Sequence, residues 1–120
     1  MDDRRRARLQ AGGIDVEEAL GRVLGSESLL ERLLGKFLED GSFSALREAL
    51  AAGDSQAAFS AAHTLKGVAG NLSMTALYGV VSRQVEELRA GRLDAARAAM
   101  GSLQDAYDRA AAAIGDRGPA

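Results

Sequence analysis

The sequence predicts an all-α protein, an antiparallel four-helix bundle with one or two short additional N-terminal helices. Three observations predict this fold. Ala, Leu, Arg and Glu, which favour helices, are abundant in the 120 residues, and the one proline is Pro119. β-Branched residues are too scattered to indicate strands. Apolar residues recur three and four positions apart over several segments, which is the spacing of one buried helix face.

Capping residues and apolar stripes place three helices in the first half of the chain. Asp15 predicts the start of a short helix that stops near Gly25, and Ser26 predicts the start of the next one. Two buried faces follow: Leu30, Leu33, Leu34 and Phe37 in a helix that ends around Gly41, then Phe43, Leu46, Ala49 and Leu50 in a helix that ends at Gly53.

Three further helices complete the predicted bundle. Asp54 caps a helix that runs to about Gly70, and after a tight hairpin Ser73 caps the next one. The last helix runs from Leu93 to Ile114 with apolar residues spaced alternately three and four apart. Such a seam also occurs between two chains of a coiled coil, but the short connections favour an intramolecular bundle. We expect its core to include Leu33, Phe37, Leu65, Leu77, Val81 and Leu103.

The length fits one domain, which we place at residues 14–114. Residues 1–13 are predicted to be a disordered N-terminal arm, and residues 115–120 a disordered C-terminal tail. No apolar run approaches the ~20 residues of a membrane span, and the charged opening lacks the pattern of a secretory signal. We therefore expect a cytoplasmic protein without membrane association, and the starting Met1 favours a free-standing one.

Composition excludes several kinds of site. The chain has no cysteine and one histidine, which excludes disulfides, thiolate zinc sites and a histidine metal cage, so we expect no bound metal. The net charge is −2, with both signs mixed along the chain, and aromatic residues make up 4%. Nucleic-acid binding therefore has no support, and we expect a protein partner and a monomeric chain.

The single histidine, His63, falls on the predicted helix from Ser55 to about Gly70. A step of about 100° per residue places the core side at Ala58, Ala61, Leu65, Val68 and Ala69. The opposite, solvent-facing side consists of Gln56, Phe59, Ser60, His63, Lys66, Gly67 and Gly70.

This face has the residue types that phosphoryl transfer needs. A neutral imidazole has a free ring nitrogen that can attack phosphorus without a separate base. Lys66 lies one turn on, where its ammonium can reach the transferred oxygens, although a surface lysine can also be merely solvated.

The small and apolar residues of the same face indicate a contact with a partner. Gly67 leaves a flat patch for the approach of another protein, since a mid-helix glycine is otherwise unfavourable. Gly70 has either that role or the role of a helix C-cap. Phe59, with Ser60 and Gln56, indicates a partner surface, unless Phe59 belongs to the core.

The run from Ala62 to Leu72, AHTLKGVAGNL, resembles the phosphorylation motif of histidine phosphotransfer (HPt) domains, His-x-Leu-Lys-Gly followed by a small residue. The resemblance covers about residues 14–114. It implies that His63 is the phosphoacceptor, that Lys66 steadies the phosphoryl group and that Gly67 admits the receiver.

The resemblance also implies what the chain works with. It implies a phosphoryl carrier and not an enzyme, with response-regulator receiver domains and a hybrid histidine kinase as partners. No cofactor is then bound by this chain, and Mg²⁺ is expected on the receiver.

Two positions depart from the family pattern. Ser73 replaces a frequent glycine, which we interpret as harmless because serine caps helices well. Val85 stands where the family often has a Gln or Glu that hydrogen-bonds the phosphoacceptor. Either Gln84 or Glu86 orients the His63 ring, or the contact is absent.

Other functions stay open at this point. The chain could be a helical adaptor or dimerisation module without phosphotransfer, or the HPt module of a larger histidine kinase. Gly67 to Gly70 also matches a Gly-x-x-Gly pattern of RNA-binding loops, which the helical context makes a chance match. Phosphorylation of His63 separates a carrier from an adaptor.

Overall fold

The computed structural model describes residues 1–116, and within that range every regular element is a helix. No helix of this range is both long enough and apolar enough to cross a membrane. The elements are α1 Asp3–Ala11, α2 Val16–Arg22, α3 Glu27–Phe37, α4 Ser42–Ala52, α5 Ser55–Asn71, α6 Thr75–Arg89, α7 Leu93–Ala98 and α8 Met100–Gly115.

The helices form the predicted all-α bundle, with short connections that make successive arms antiparallel. The consecutive helices α3 and α4 form its first arm, α5 and α6 the next two, and α7 with α8 the last. α5 lies between α4 and α6, and α8 contacts both α6 and α3. Stacked aromatic rings join the first and last arms of the bundle. The ring centroids of Tyr107 in α8 and Phe43 in α4 lie 4.1 Å apart.

Three predicted N-caps are confirmed. The side chain of Asp15 accepts a hydrogen bond from the Glu18 backbone N–H at 3.1 Å, and Asp54 accepts one from Ala57 at 3.0 Å. Ser26 accepts from the Leu29 N–H at 3.2 Å. Each cap satisfies an amide that has no partner inside its own helix, so these helices begin where the sequence places them.

Five helix ends share one backbone geometry, in which a residue with a positive φ follows the helix and the next backbone N–H donates to the carbonyl five residues before it. In α5, for example, the Met74 N–H donates to the Ala69 carbonyl at 2.9 Å, and Ser73 lies at φ 53°. The positive-φ residues of this geometry, after α1, α2, α4, α5 and α6 in turn, are Gly13, Leu24, Gly53, Ser73 and Gly91. Gly25, which follows Leu24, also has a positive φ.

The prediction that Ser73 caps the N-terminus of α6 is therefore wrong. Ser73 follows the C-terminus of α5, whereas α6 begins at Thr75 with Met74 in the cap position and no side-chain cap. This also changes the reason for the frequent glycine there, because a positive φ favours glycine.

The predicted core is confirmed except at one position. Phe37, Leu65, Leu77, Val81 and Leu103 are at most 2% exposed. Leu33, also predicted, is only half-buried and packs against the edge of the core. On α5 the buried face is alanine-rich, which allows α4 and α6 to approach the helix that carries His63.

The prediction that residues 1–13 are a disordered arm is wrong. Asp3–Ala11 forms α1, and the Asp2 carboxylate caps it by accepting from the Arg5 N–H at 2.7 Å. Leu9 is fully buried. α1 packs closely on α8, since a Cβ added to Gly12 would lie 2.5 Å from the Ala113 Cβ.

Arg5 explains why a polar, arginine-rich segment folds here. The side chain of Arg5 is 7% exposed. Its guanidinium pairs with Glu31 of α3 at 2.8 Å and donates to the Ala113 carbonyl at 2.7 Å and to the Asp116 carbonyl at 2.9 Å. These carbonyls lie at the C-terminal end of α8, where backbone acceptors lack helical partners. α1 thus caps another helix, through contacts that no local pattern reveals.

The C-terminal part differs from the prediction in two details. The expected single helix from Leu93 to Ile114 is divided into α7 and α8 at Ala99. The predicted disordered tail, residues 115–120, is wrong at its first two positions, because Gly115 ends α8 and the Asp116 carboxylate pairs with Arg8 at 2.7 Å. Residues 117–120 lie outside the described residues.

Candidate functional site

The imidazole of His63 lies on the solvent-facing side of α5, as predicted. Ala58, Ala62, Leu65 and Ala69, on the other side of the helix, are fully buried. His63 itself is exposed, and the Phe59 ring one turn earlier lies 6.1 Å away between centroids. Within residues 1–116 no side chain hydrogen-bonds the imidazole, so its ring nitrogens face solvent.

Gly67 leaves open space one turn after His63. It is exposed, and a Cβ built on it meets no atom within 4 Å. The open space agrees with the predicted gap in the side-chain surface. That a receiver uses this gap stays a prediction.

A groove of about 600 Å³ opens beside His63, between α5, α6 and α2. His63, Lys66, Gly67 and Gly70 contribute from α5, and Tyr78 contributes from α6. The rest of the lining is Glu18, Arg22, Ala69, Asn71, Ser73, Met74 and Thr75. Two cations, Lys66 and Arg22, thus share one groove with the imidazole.

Lys66 and Gly70 meet at the same ring, that of Tyr78. The Lys66 Nζ lies 5.8 Å from the Tyr78 ring centroid. A Cβ on Gly70 would lie 3.1 Å from the Tyr78 Cε2, closer than most real contacts. Gly70 is also inside α5, which ends at Asn71, so it is not the C-cap that the sequence left as an alternative.

Ser73 connects this groove to α2. Its side chain is 2% exposed, donates to the Glu18 carboxylate at 2.8 Å and accepts from the Arg22 Nε at 3.2 Å. These two bonds compensate the positive φ of a residue with a Cβ. They also place Arg22 at the rim of the groove.

Phe59 is neither free nor fully buried. One side packs against the core, and the Arg89 guanidinium of α6 lies 5.6 Å from the ring centroid. Gln56 and Ser60 are exposed on the same side of α5 as His63. A role of these three residues in binding a partner stays a prediction.

Gln84 and Glu86 do not orient the His63 ring. Gln84 is fully buried, and its amide donates to the Ala96 carbonyl of α7 at 2.9 Å and not to the His63 ring. The carboxylate of Glu86 is paired with Arg89. Of the two alternatives that the sequence leaves open, the structure supports the absence of this contact.

Three residues near His63 are not among those predicted from the sequence: Tyr78, Arg22 and Arg89. The position of Tyr78 could have been predicted from the sequence. In the hairpin of α5 and α6, the register that places Val85 opposite His63 also places Tyr78 opposite Gly70. The position of Arg22 could not have been predicted in this way, since α2 is distant from α5 in sequence.

A family model of the Hpt domain matches residues 28–113, which is well over half of the chain and includes α5 with His63. No curated protein and no solved structure gives a significant match. Hpt domains serve histidine phosphotransfer in phosphorelays, where they interact with receiver domains and kinases as phosphoryl carriers and not as catalysts. The match and the helical bundle confirm the resemblance of the motif around His63, and the chain belongs to the Hpt domain family.

Proposed function

We propose that this chain accepts and donates a phosphoryl group through His63, between the aspartates of receiver domains in a two-component phosphorelay. The observation that carries the proposal is the exposed imidazole between the open space at Gly67 and the half-buried ring of Phe59. The chain is then a carrier whose partners are response-regulator receivers and a hybrid histidine kinase.

Phosphoryl transfer requires little of this chain beyond holding the imidazole of His63 in position. A free imidazole nitrogen attacks the phosphorus of the receiver's aspartyl phosphate, a N–P bond forms, and the P–O bond to the aspartate breaks. The carboxylate leaves, and the reverse step passes the group to the next receiver. We propose that the receiver supplies the Mg²⁺ and the acidic pocket, while α5 holds the nucleophile in line.

Lys66 supplies the positive charge on this side of the reaction. Its ammonium shares the groove with the imidazole and can approach the equatorial oxygens as the phosphoryl group arrives. The open space at Gly67 lets the receiver's aspartyl phosphate reach the imidazole without meeting a side chain.

The test is incubation of the chain with a phosphorylated receiver and Mg²⁺. We expect label that is labile in acid and stable in base, as a phosphoramidate is, and no label on His63→Gln. Ala57→Gln, which adds the same side chain at an exposed position of α5 outside the groove, should be labelled like the wild type.

Circular dichroism establishes that both variants remain helical. Undiminished label on His63→Gln would place the phosphoryl group elsewhere. A correctly folded wild type that takes no label from any receiver of its host would favour the adaptor or dimerisation module instead.

A further inference from the structure

The Lys66 side chain is oriented by an aromatic ring and not by a carboxylate. The Nζ lies 5.8 Å from the Tyr78 ring centroid, within the range in which a ring attracts a cation. In the described part of the chain, residues 1–116, Lys66 forms no ion pair. Glu18, the carboxylate of the same groove, already binds Ser73 and pairs with Arg22 at 3.6 Å.

This choice of partner has a chemical consequence. A carboxylate would neutralise the ammonium and compete with phosphoryl oxygens for its N–H groups. The face of an aromatic ring attracts the cation through its quadrupole and accepts no strong hydrogen bond, so the charge stays available. For an exposed pair this attraction favours the ring-contacting rotamers by roughly two- to fivefold.

Gly70 leaves room for this position of the ring. A Cβ at residue 70 would lie 3.1 Å from the Cε2 and 3.4 Å from the Cδ2 of Tyr78. Without that Cβ the ring lies directly against the α5 backbone, one turn after Lys66. Tyr78 is nevertheless 41% exposed, so its contribution to the core is small.

We propose that Tyr78 is a positioning residue for phosphotransfer, which holds the unpaired ammonium of Lys66 in the groove beside His63. In the ring-contacting rotamers the ammonium stays in the groove that the imidazole also lines, where the phosphoryl oxygens arrive. The inference rests on the proposed function of His63. Its geometric part, the contact of Lys66 with Tyr78, can be tested without any phosphoryl transfer.

The geometric test uses the composition of the chain, which has only two lysines, Lys36 and Lys66. In protein labelled with [13C]lysine, the ε-methylene of Lys66 should show an upfield ring-current shift. Tyr78→Leu should remove this shift and Tyr78→Phe should keep it, while the Lys36 signal on α3 stays constant as the internal control. A Lys66 signal that does not respond to Tyr78→Leu overturns the proposal.

The functional test is a double-mutant cycle on the transfer rate from a phosphorylated receiver. We expect Tyr78→Leu to slow transfer about two- to fivefold, which is the bias that the ring provides, and Tyr78→Phe to be close to wild type. In a Lys66→Ala background Tyr78→Leu should have no further effect. Equal slowing in both backgrounds would mean that Tyr78 acts without Lys66, which overturns the proposal.

The two arms separate the possible failures. If the wild type takes no phosphoryl label, the proposed function of His63 fails, and the role of Tyr78 in transfer fails with it. If label transfers normally to wild type and to Tyr78→Leu at the same rate, only the positioning role of Tyr78 fails. Thermal melts of the Leu and Phe variants exclude unfolding as the cause of slower transfer.

Discussion

At the scale of single residues, two glycines of α5 serve opposite purposes. Gly67 is exposed and has no atom within 4 Å of a built Cβ, so a side chain there would project into solvent. Gly70 is covered by the ring of Tyr78. The two glycines lie in the same helix beside His63, yet only Gly67 leaves a space that a partner protein can fill.

Gly67→Gln should therefore block phosphotransfer by filling that space, while the bundle remains folded. Because glutamine favours a helix interior over glycine, the free energy of unfolding should stay equal or rise by roughly 0.5 kcal/mol. Urea unfolding and the transfer rate from a phosphorylated receiver check the two parts.

Gly35→Gln is the matched control, since Gly35 also has nothing within 4 Å of its Cβ and lies in α3, outside the groove. Gly35→Gln should change the free energy of unfolding by about as much as Gly67→Gln does, and it should leave the rate of phosphoryl transfer unchanged. Normal transfer by Gly67→Gln would contradict the model in which the receiver approaches over this face.

At the scale of helices, the shared C-terminal geometry explains two unusual residues. Glycine occupies the positive-φ position at the ends of α1, α4 and α6, but Leu24 ends α2 at φ 55° and Ser73 ends α5 at φ 53°. Ser73 is buried and bonded to Glu18 and Arg22, whereas Leu24 is 96% exposed. The same backbone strain is compensated at one position and not at the other.

Leu24→Gly should accordingly stabilise the protein by about 0.5 to 1 kcal/mol, because the strain of about 1 to 2 kcal/mol for a residue with a Cβ exceeds the greater chain entropy of glycine. Ser73→Gly relieves similar strain but loses both side-chain hydrogen bonds, so it should be neutral or destabilising. Urea denaturation of both variants measures the difference. A loss of stability in Leu24→Gly would show that this exposed side chain has a packing role.

At the scale of the whole molecule, α1 connects the first and last arms of the bundle. Arg5 joins α3, through Glu31, to the last turn of α8, through the Ala113 and Asp116 carbonyls. α1 and α2 both lie outside residues 28–113, the stretch that matches the Hpt domain. α5, the helix that carries His63, has no part in these contacts, so we expect that stability and the proposed transfer can be changed separately.

Arg5→Ala should lower the free energy of unfolding by roughly 2 kcal/mol, because buried carbonyl groups lose their donor and a shielded ion pair is broken. Arg4→Ala, which changes an exposed arginine of the same helix, should stay within about 0.5 kcal/mol of the wild type. Chemical denaturation compares the two. Phosphotransfer by folded Arg5→Ala should be unchanged, and equal stability of the two variants would refute the capping role of α1.

Features whose causes lie within one or two helical turns are readable from the sequence of this protein. The caps at Asp15, Ser26 and Asp54 depend on side chains three residues from the amides they satisfy, and the exposure of His63 follows from the helical repeat. The motif around His63 also indicates the family from the sequence alone, because its residues are contiguous in the chain.

Features that depend on contacts between distant segments are absent from any local pattern. α1 is polar by composition, and it is helical because Arg5 finds acceptors 108 and 111 residues away. The backbone of Ser73 is compensated by bonds to α2, and Lys66 meets Tyr78 only after the hairpin folds. Hydrogen bonds and ring contacts of this kind form only when packing has brought the helices together, so they belong to the folded molecule and not to its sequence periodicity.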